Sequence, residues 1–146
     1  VTQTLYYAAA GDGAYCYCQT ASSLLQIGQR PTDPLVMTGS GNTKGLEEPR
    51  KSSVLNRMRT IGGRHYVGSA GVLATRIADG KDDFLIHSRA TPWDHAPVDL
   101  LCREAGGHVA MVANAKSFNA VEGGPIMATS SLAGWRHLYH YVWRDE

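Results

Sequence analysis

The stretch Thr91–Gly107, TPWDHAPVDLLCREAGG, restricts the fold more than any other part of the chain. Asp94 stands where a helix would begin, and Pro97 falls in the expected first turn, where a missing N–H costs little. Asp94 is therefore the expected N-cap. Ala96, Leu100, Leu101 and Ala105 recur at helical spacing, with Asp99, Arg103 and Glu104 off that face, so the segment predicts an amphipathic helix against a core. Gly106 and Gly107 end it. Strand-like runs alternate with glycine-stopped helices from residue 52 onward, which predicts an α/β layered fold, a mixed sheet flanked by helices.

The other elements follow from similar signals. Thr2 to Ala9 and Ala14 to Cys18 flank Gly11-Asp12-Gly13, a turn signal that predicts a β-hairpin. From Gln19 to Thr32 the pattern weakens, and Leu35 to Thr38 reads as a short strand entering a Gly39-Ser40-Gly41 loop. That loop lacks the Gly-Lys-Ser/Thr ending of a P-loop and is given no catalytic role. Glu47 and Glu48, beside Pro49, read as a solvated surface pair. Ser52 or Ser53 is the expected cap of a helix with Val54, Leu55, Met58 and Ile61 inward, followed by a short strand over Arg64 to Val67. Ser69 opens a second helix with Val72, Leu73 and Ile77 inward and Gly80 as its stop. Phe84 to Ile86, His108 to Val112 and Pro125 to Thr129 read as strands. Ser130 or Ser131 opens a last helix carrying Leu132, Trp135, Leu138, Tyr139 and Val142.

At 146 residues, 43% hydrophobic and 18% charged, the chain is sized for one soluble core. A net charge of +1 provides no field to recruit nucleic acid or an acidic membrane. No run is apolar enough to span a bilayer and no signal peptide opens the chain, so the expected location is cytoplasmic. Three cysteines, Cys16, Cys18 and Cys102, do not make a disulfide framework. His137 and His140 are three residues apart on the last helix but lack further ligands for zinc.

Two places carry chemistry. A cap carboxylate such as Asp94 spends some oxygens on backbone N–H groups and either offers the rest to a hard cation or serves as a cap alone. At Gly68, Ser69 and Ala70 a helix opens after a residue without a side chain; its free N–H groups either meet a substrate oxygen or belong to an ordinary capped helix.

Trp93-Asp94, a small-residue helix and Glu104-Ala105-Gly106-Gly107 together resemble the C-terminal signature of the inositol monophosphatase family of magnesium-dependent sugar phosphatases. Val67-Gly68-Ser69-Ala70, a helical run and Ala78-Asp79-Gly80-Lys81-Asp82-Asp83 resemble the segment that precedes it in that family. The resemblance implies a phosphomonoesterase acting on a small sugar or inositol phosphate through metal-activated water, with Mg2+ bound by Asp94. It implies that Gly68, Ser69, Ala70 and His87 position the alcohol part of the substrate. His95, just past Asp94, is expected to be a hydrogen-bond partner and not a metal ligand, because magnesium prefers oxygen. Several family members carry a Glu at the position of His87, where it bonds sugar hydroxyls, and close relatives often carry glycine at that of Val98.

The family's other metal carboxylates, a Glu and an Asp-x-x-Asp-Gly-Thr/Ser block, have no counterpart in this sequence. Val1 opens into strand-like residues without an initiator Met. The chain is therefore expected to be the C-terminal part of a longer protein and inactive alone, its partners being the N-terminal half and a homodimer mate. Residues 1–50 are expected to be a hairpin and loop remnant of the preceding sheet, and 51–146 the C-terminal α/β domain. A noncatalytic binding or assembly module derived from such a phosphatase is the alternative.

Overall fold

A computed structural model describes residues 3–144; Val1 and the expected strand start at Thr2 lie outside the described residues. Its elements are β1 (Thr4–Ala9), β2 (Gly13–Cys18), β3 (Ala21–Leu25), β4 (Thr38–Asn42), α1 (Arg50–Met58), β5 (Gly63–Arg64), α2 (Ala70–Ala78), β6 (Phe84–His87), α3 (Pro92–Glu104), β7 (His108–Met111), β8 (Ile126–Thr129) and α4 (Leu132–Trp143). Strands β1-β2-β3 form an antiparallel sheet, and a mixed sheet runs β5-β4-β6-β8-β7. In the mixed sheet β4 pairs in parallel with β5 and β6, while β8 runs antiparallel to β6 and β7.

The mixed sheet is covered on both faces, so β6, β7 and β8 read as short apolar runs whose residues alternate between two cores. Leu85, Val109, Ile126 and Ala128 face α2 and α3 in one core; Phe84, Ile86, Ala110 and Met127 face α1 and α4 in the other. Ala14 and Leu25 of the small sheet close the first core from beyond α3. The layers are therefore small sheet, α2 with α3, mixed sheet, and α1 with α4. No described helix is long and apolar enough to cross a membrane.

The hairpin forms as predicted, with Gly11 at φ +78° and Gly13 at φ +94°. Glu104 fastens it to α3, accepting the Gly11 amide at 3.0 Å and the Gly13 amide at 3.1 Å. The weak pattern after Gln19 hides the third strand, whose Ala21–Leu24 are exposed and carry no alternation.

The Gly39-Ser40-Gly41 segment is a strand, not a loop, and lies inside the mixed sheet. Its glycines let β4 approach β6: a Cβ on Gly41 would stand 2.7 Å from the Ile86 carbonyl oxygen. Asp83 anchors its start, accepting from the Thr38 amide at 2.8 Å and from Arg30 Nε at 2.7 Å. Leu35 and Val36, expected in a strand, are exposed residues of a turn closed by the Asp33 carboxylate.

Other corrections concern helix ends and faces. Neither Ser52 nor Ser53 caps α1, which starts at Arg50. Glu47 and Glu48 are exposed, as expected, and Glu48 also accepts the Ser52 amide at 3.1 Å. The strand expected over Arg64 to Val67 is confined to Gly63–Arg64. Val72 is 49% exposed, whereas Leu73 and Ile77 are buried as expected. Ser69 and Ser131 do cap α2 and α4, accepting from the Val72 and Gly134 amides.

All three cysteines are free, and burial pushes the Cys102 thiol up to about 12, which leaves it an inert core group. His137 meets the Thr32 carbonyl, and no metal-ligand cluster forms around it or His140 among the described residues.

Candidate functional site

Helix α3 begins one turn before its expected start. Thr91 is the N-cap residue and Pro92 the first helical one, so Asp94 lies in the first turn and Pro97 inside the helix. Pro92, with φ already fixed and no N–H to satisfy, is the stronger start signal. Asp94 folds back instead: its Oδ2 accepts the Thr91 hydroxyl at 2.9 Å, and the residue is exposed. The inward face consists of His95, Val98, Leu101, Cys102 and Ala105; Ala96 and Leu100 line an outer groove with Tyr6 and Ala8. Asp99 is 8% exposed and forms a two-point pair with Arg103, at 3.0 and 2.7 Å.

The early start places His95 in the interior, 2% exposed. Its Nδ1 lies 3.0 Å from the Thr91 amide and its Nε2 lies 2.9 Å from Nδ1 of His87. Nδ1 also lies 3.1 Å from the Thr91 carbonyl oxygen, but that oxygen already accepts the His95 amide at 2.9 Å, whereas the Thr91 amide has no other acceptor among the described residues; with Nδ1 accepting from that amide, the His95 proton is on Nε2 and is donated to His87 Nδ1. His87 accordingly carries its own proton on Nε2. Burial, then the neighbouring His95, pushes the His87 pKa down to about 4, against a smaller opposing pull from Asp94. Burial likewise lowers that of His95. Both imidazoles are neutral at pH 7.

His87 is the last residue of β6 and pairs in register with Asn42, the last residue of β4. The ends of these parallel strands form a cleft lined by Ser40, Gly41, Asn42, Lys44, Tyr66, Val67, Gly68 and His87. Crevices at the carboxyl ends of parallel strands are common ligand sites because the chain must turn away there and leave backbone and side chains exposed.

Of the residues singled out in the sequence, Gly68 and His87 share this cleft. Ser69 is exposed beside it, but its hydroxyl is committed to the Val72 amide at 3.3 Å. Ala70 is 8% exposed and packs in the first core, so its side chain faces away from solvent. Asp94 does not line the cleft and joins it through Thr91, His95 and His87. Asn42 and Tyr66 escape the sequence reading, and Lys44 is set aside there with Gly41 as too little for a P-loop; a strand ending Gly-Asn before a helix-bearing crossover is the available signal.

A carboxylate is the right donor for magnesium, and Asp94 Oδ1 has no hydrogen-bond partner among the described residues. No group of three or more His, Cys, Asp or Glu that could hold a metal occurs among them. The residues present therefore fit one coordination position of such an ion and not a whole site.

The sequence profile of the inositol monophosphatase family matches residues 1–143. The chain belongs to the inositol monophosphatase family. No curated protein sequence matches it. Among solved structures, inositol monophosphatase-II from Staphylococcus aureus superposes with a TM-score of 0.77 at 20% identity, over 97% of this chain and 51% of that one. Mycobacterium tuberculosis SuhB gives 0.75 at 22% identity, over 98% and 55%. An IMPase/NADP phosphatase complexed with Mg2+ and phosphate gives 0.76 at 18% identity, over 95% and 49%. These likenesses establish the inositol monophosphatase-like α/β fold, and the chain spans about half the length of the structures it matches.

Proposed function

We propose that the chain is the C-terminal part of a Mg2+-dependent phosphomonoesterase that hydrolyses a small sugar or inositol phosphate in the cytoplasm. The observation that carries this reading is the cleft at the ends of β4 and β6, where Gly68 and His87 meet and to which Asp94 is tied through Thr91 and His95. Family membership supports it, as do the ligands of related folds: SaIMPase-II has been crystallised with inositol monophosphate and with 2′AMP.

In this reading Asp94 holds Mg2+ through its free oxygen, with the remaining carboxylates supplied by the preceding half of the protein. The ion, when bound, polarises the phosphate ester and acidifies the attacking water. Gly68 and the first turn of α2 offer backbone N–H groups to the substrate's alcohol part, with Ser69 and Ala70 contributing through their main chain. His87 presents Nε2–H to a substrate oxygen. The small sheet is the landing surface of the preceding half: Leu5, Tyr7, Tyr17 and Leu24 share its outer face and are each at least 40% exposed. A homodimer belongs to the same reading, and the chain by itself is inactive.

The test uses the full-length protein. Phosphate release from inositol 1-phosphate and 2′AMP should require Mg2+, and Asp94→Asn should raise the Mg2+ concentration for half-maximal rate by about tenfold or more. An unchanged Mg2+ titration overturns the role of Asp94. A folded full-length protein that releases no phosphate overturns the enzyme and leaves the noncatalytic module.

A further inference from the structure

The small sheet ends in an open edge. β3 pairs with β2, and no strand lies on its other side among the described residues. Its backbone directions follow from the turn. Gln19 and Thr20 join β2 to β3, and a two-residue hairpin closes on a hydrogen-bonded pair, here Cys18 with Ala21. Alternation makes Cys16 with Ser23 and Ala14 with Leu25 the next bonded pairs, so the N–H and C=O groups of Ser22 and Leu24 point away from β2. These groups have no partner among the described residues.

The edge lacks the charges, prolines and bulges that usually keep sheet edges apart. No charged residue, histidine or proline occurs between Asp12 and Arg30, and the β2–β3 register runs unbroken. Ala21–Leu24 are exposed, Leu24 by 51%. The opposite edge of the sheet has a different claimant. β1 borders a groove lined by Tyr6, Ala8, Ala96 and Leu100, and in the proposed reading the preceding half runs straight into β1, so that its last strand pairs there. β3 lies beyond β2 and is left for a separate chain. An uncharged edge meets its own copy without like-charge repulsion, the condition that a two-fold contact imposes.

We infer that β3 is the homodimer contact, pairing antiparallel with β3 of a second copy about a two-fold axis beside Ser23. In this register Ser22 of each copy faces Leu24 of the other, and every outward N–H and C=O of both residues is satisfied. A register shifted by two residues pairs one of them with the turn or with residues beyond the strand. Ser23 stands opposite Ser23 of the second copy as a non-hydrogen-bonded pair, with Cα atoms about 4.5 Å apart. The two Leu24 side chains become diagonal neighbours on the outer face. The pairing consumes the β3 edge of both copies, so it closes at two chains and does not grow into a fibre. It gives the homodimer of the proposed function its contact, and rests on that reading for the preceding half's place at β1.

The test puts charge at the self-opposed position of the full-length protein. Light scattering should show a dimer. Ser23→Lys and Ser23→Asp each place like charges across the axis, and each alone should weaken dimerisation by about tenfold or more. Mixed in equal amounts, the two variants should recover a heterodimer about as tight as the unmodified dimer. The Ser22 and Leu24 amides should exchange at least about tenfold more slowly in the unmodified dimer than in monomeric Ser23→Lys. An unmodified protein that is monomeric at all concentrations overturns the homodimer and this contact together. A dimer that tolerates either single charge, a mixture that stays monomeric, or equal exchange in dimer and monomer overturns the contact and leaves the homodimer standing. Phosphate release by the unmodified dimer reports on the proposed reaction alone, so its absence overturns that reaction and not the contact.

Discussion

His87 and His95 meet edge to face, their ring planes 83° apart and the Nδ1 to Nε2 distance 2.9 Å. One ring belongs to the end of a strand and the other to the first turn of the next helix, so the pair fixes how α3 leaves β6. Because the Thr91 amide occupies the far nitrogen of His95, the proton order along the chain is set by the backbone and reaches the cleft as Nε2–H of His87.

Replacing His95 should therefore act on the substrate side of the reaction. In the full-length enzyme His95→Phe is expected to raise KM by roughly 3- to 10-fold, the worth of one hydrogen bond, with a smaller change in kcat. His95→Gln, whose amide can still donate to His87, should restore most of the loss. Nitrogen chemical shifts should show His87 protonated at Nε2 in the unmodified protein and as mixed tautomers in His95→Phe. Identical KM values and shifts in all three proteins would show that His95 does no more than fill space.

Stability should fall on acidification through the same pair. His87 titrates near 4 in the folded protein and near its ordinary 6.5 when unfolded, so below neutrality the unfolded state binds more protons. Its contribution is complete above about pH 7 and is lost as the pH drops toward 4. The loss is on the order of 2 kcal/mol, allowing for partial exposure. Denaturant midpoints measured from pH 7.5 to 4.5 should decline less in His87→Leu than in the unmodified protein. Parallel curves would contradict the assignment.

Gly41 is expected to tolerate no side chain. A Cβ there would stand 2.7 Å from the Ile86 carbonyl oxygen and 2.9 Å from its Cβ, and a strand backbone cannot yield as a flexible side chain does. Gly41→Ala should cost about 1–3 kcal/mol of stability by forcing β4 from β6. It should also weaken ligand binding, since Asn42 and His87 are the paired ends of those strands. An unchanged denaturation midpoint would refute the close approach.

Glu104 ties the hairpin to α3 through two amides, which also hold its carboxyl below the usual glutamate range. In Glu104→Ala the Gly11 and Gly13 amides should exchange with solvent markedly faster while the amides of β6 keep their protection. Glu104→Gln, which keeps one accepting oxygen, should fall between. Unaltered exchange at both glycines would mean that the turn holds itself.

Much of the fold was visible in residue order because its signals are local. Asp-Gly turns, Ser69 and Ser131 as caps, Gly80 and Gly106 at positive φ and the apolar runs of β6, β7 and β8 act over a few residues. Errors gathered where two local signals competed or where the cause lay far along the chain. Asp94 looked like a cap, yet Thr91-Pro92 won because proline suits the first helical position. Gly39-Ser40-Gly41 looked like a loop because the reason for its glycines, the carbonyls of β6, stands 45 residues later in register.

The sequence by itself determined the family, through Trp93-Asp94, Gly68-Ser69-Ala70 and the glycine pair after Glu104, and with it the class of fold. The tertiary structure alone decided which of those residues share a cleft, that Asn42, Lys44 and Tyr66 join them, and which nitrogen of His87 carries its proton. The physical reason is range: capping and periodicity are set by neighbours in the chain, whereas a cleft arises where parallel strands end side by side. Hydrogen-bond direction is then fixed by whichever distant backbone groups remain to be satisfied.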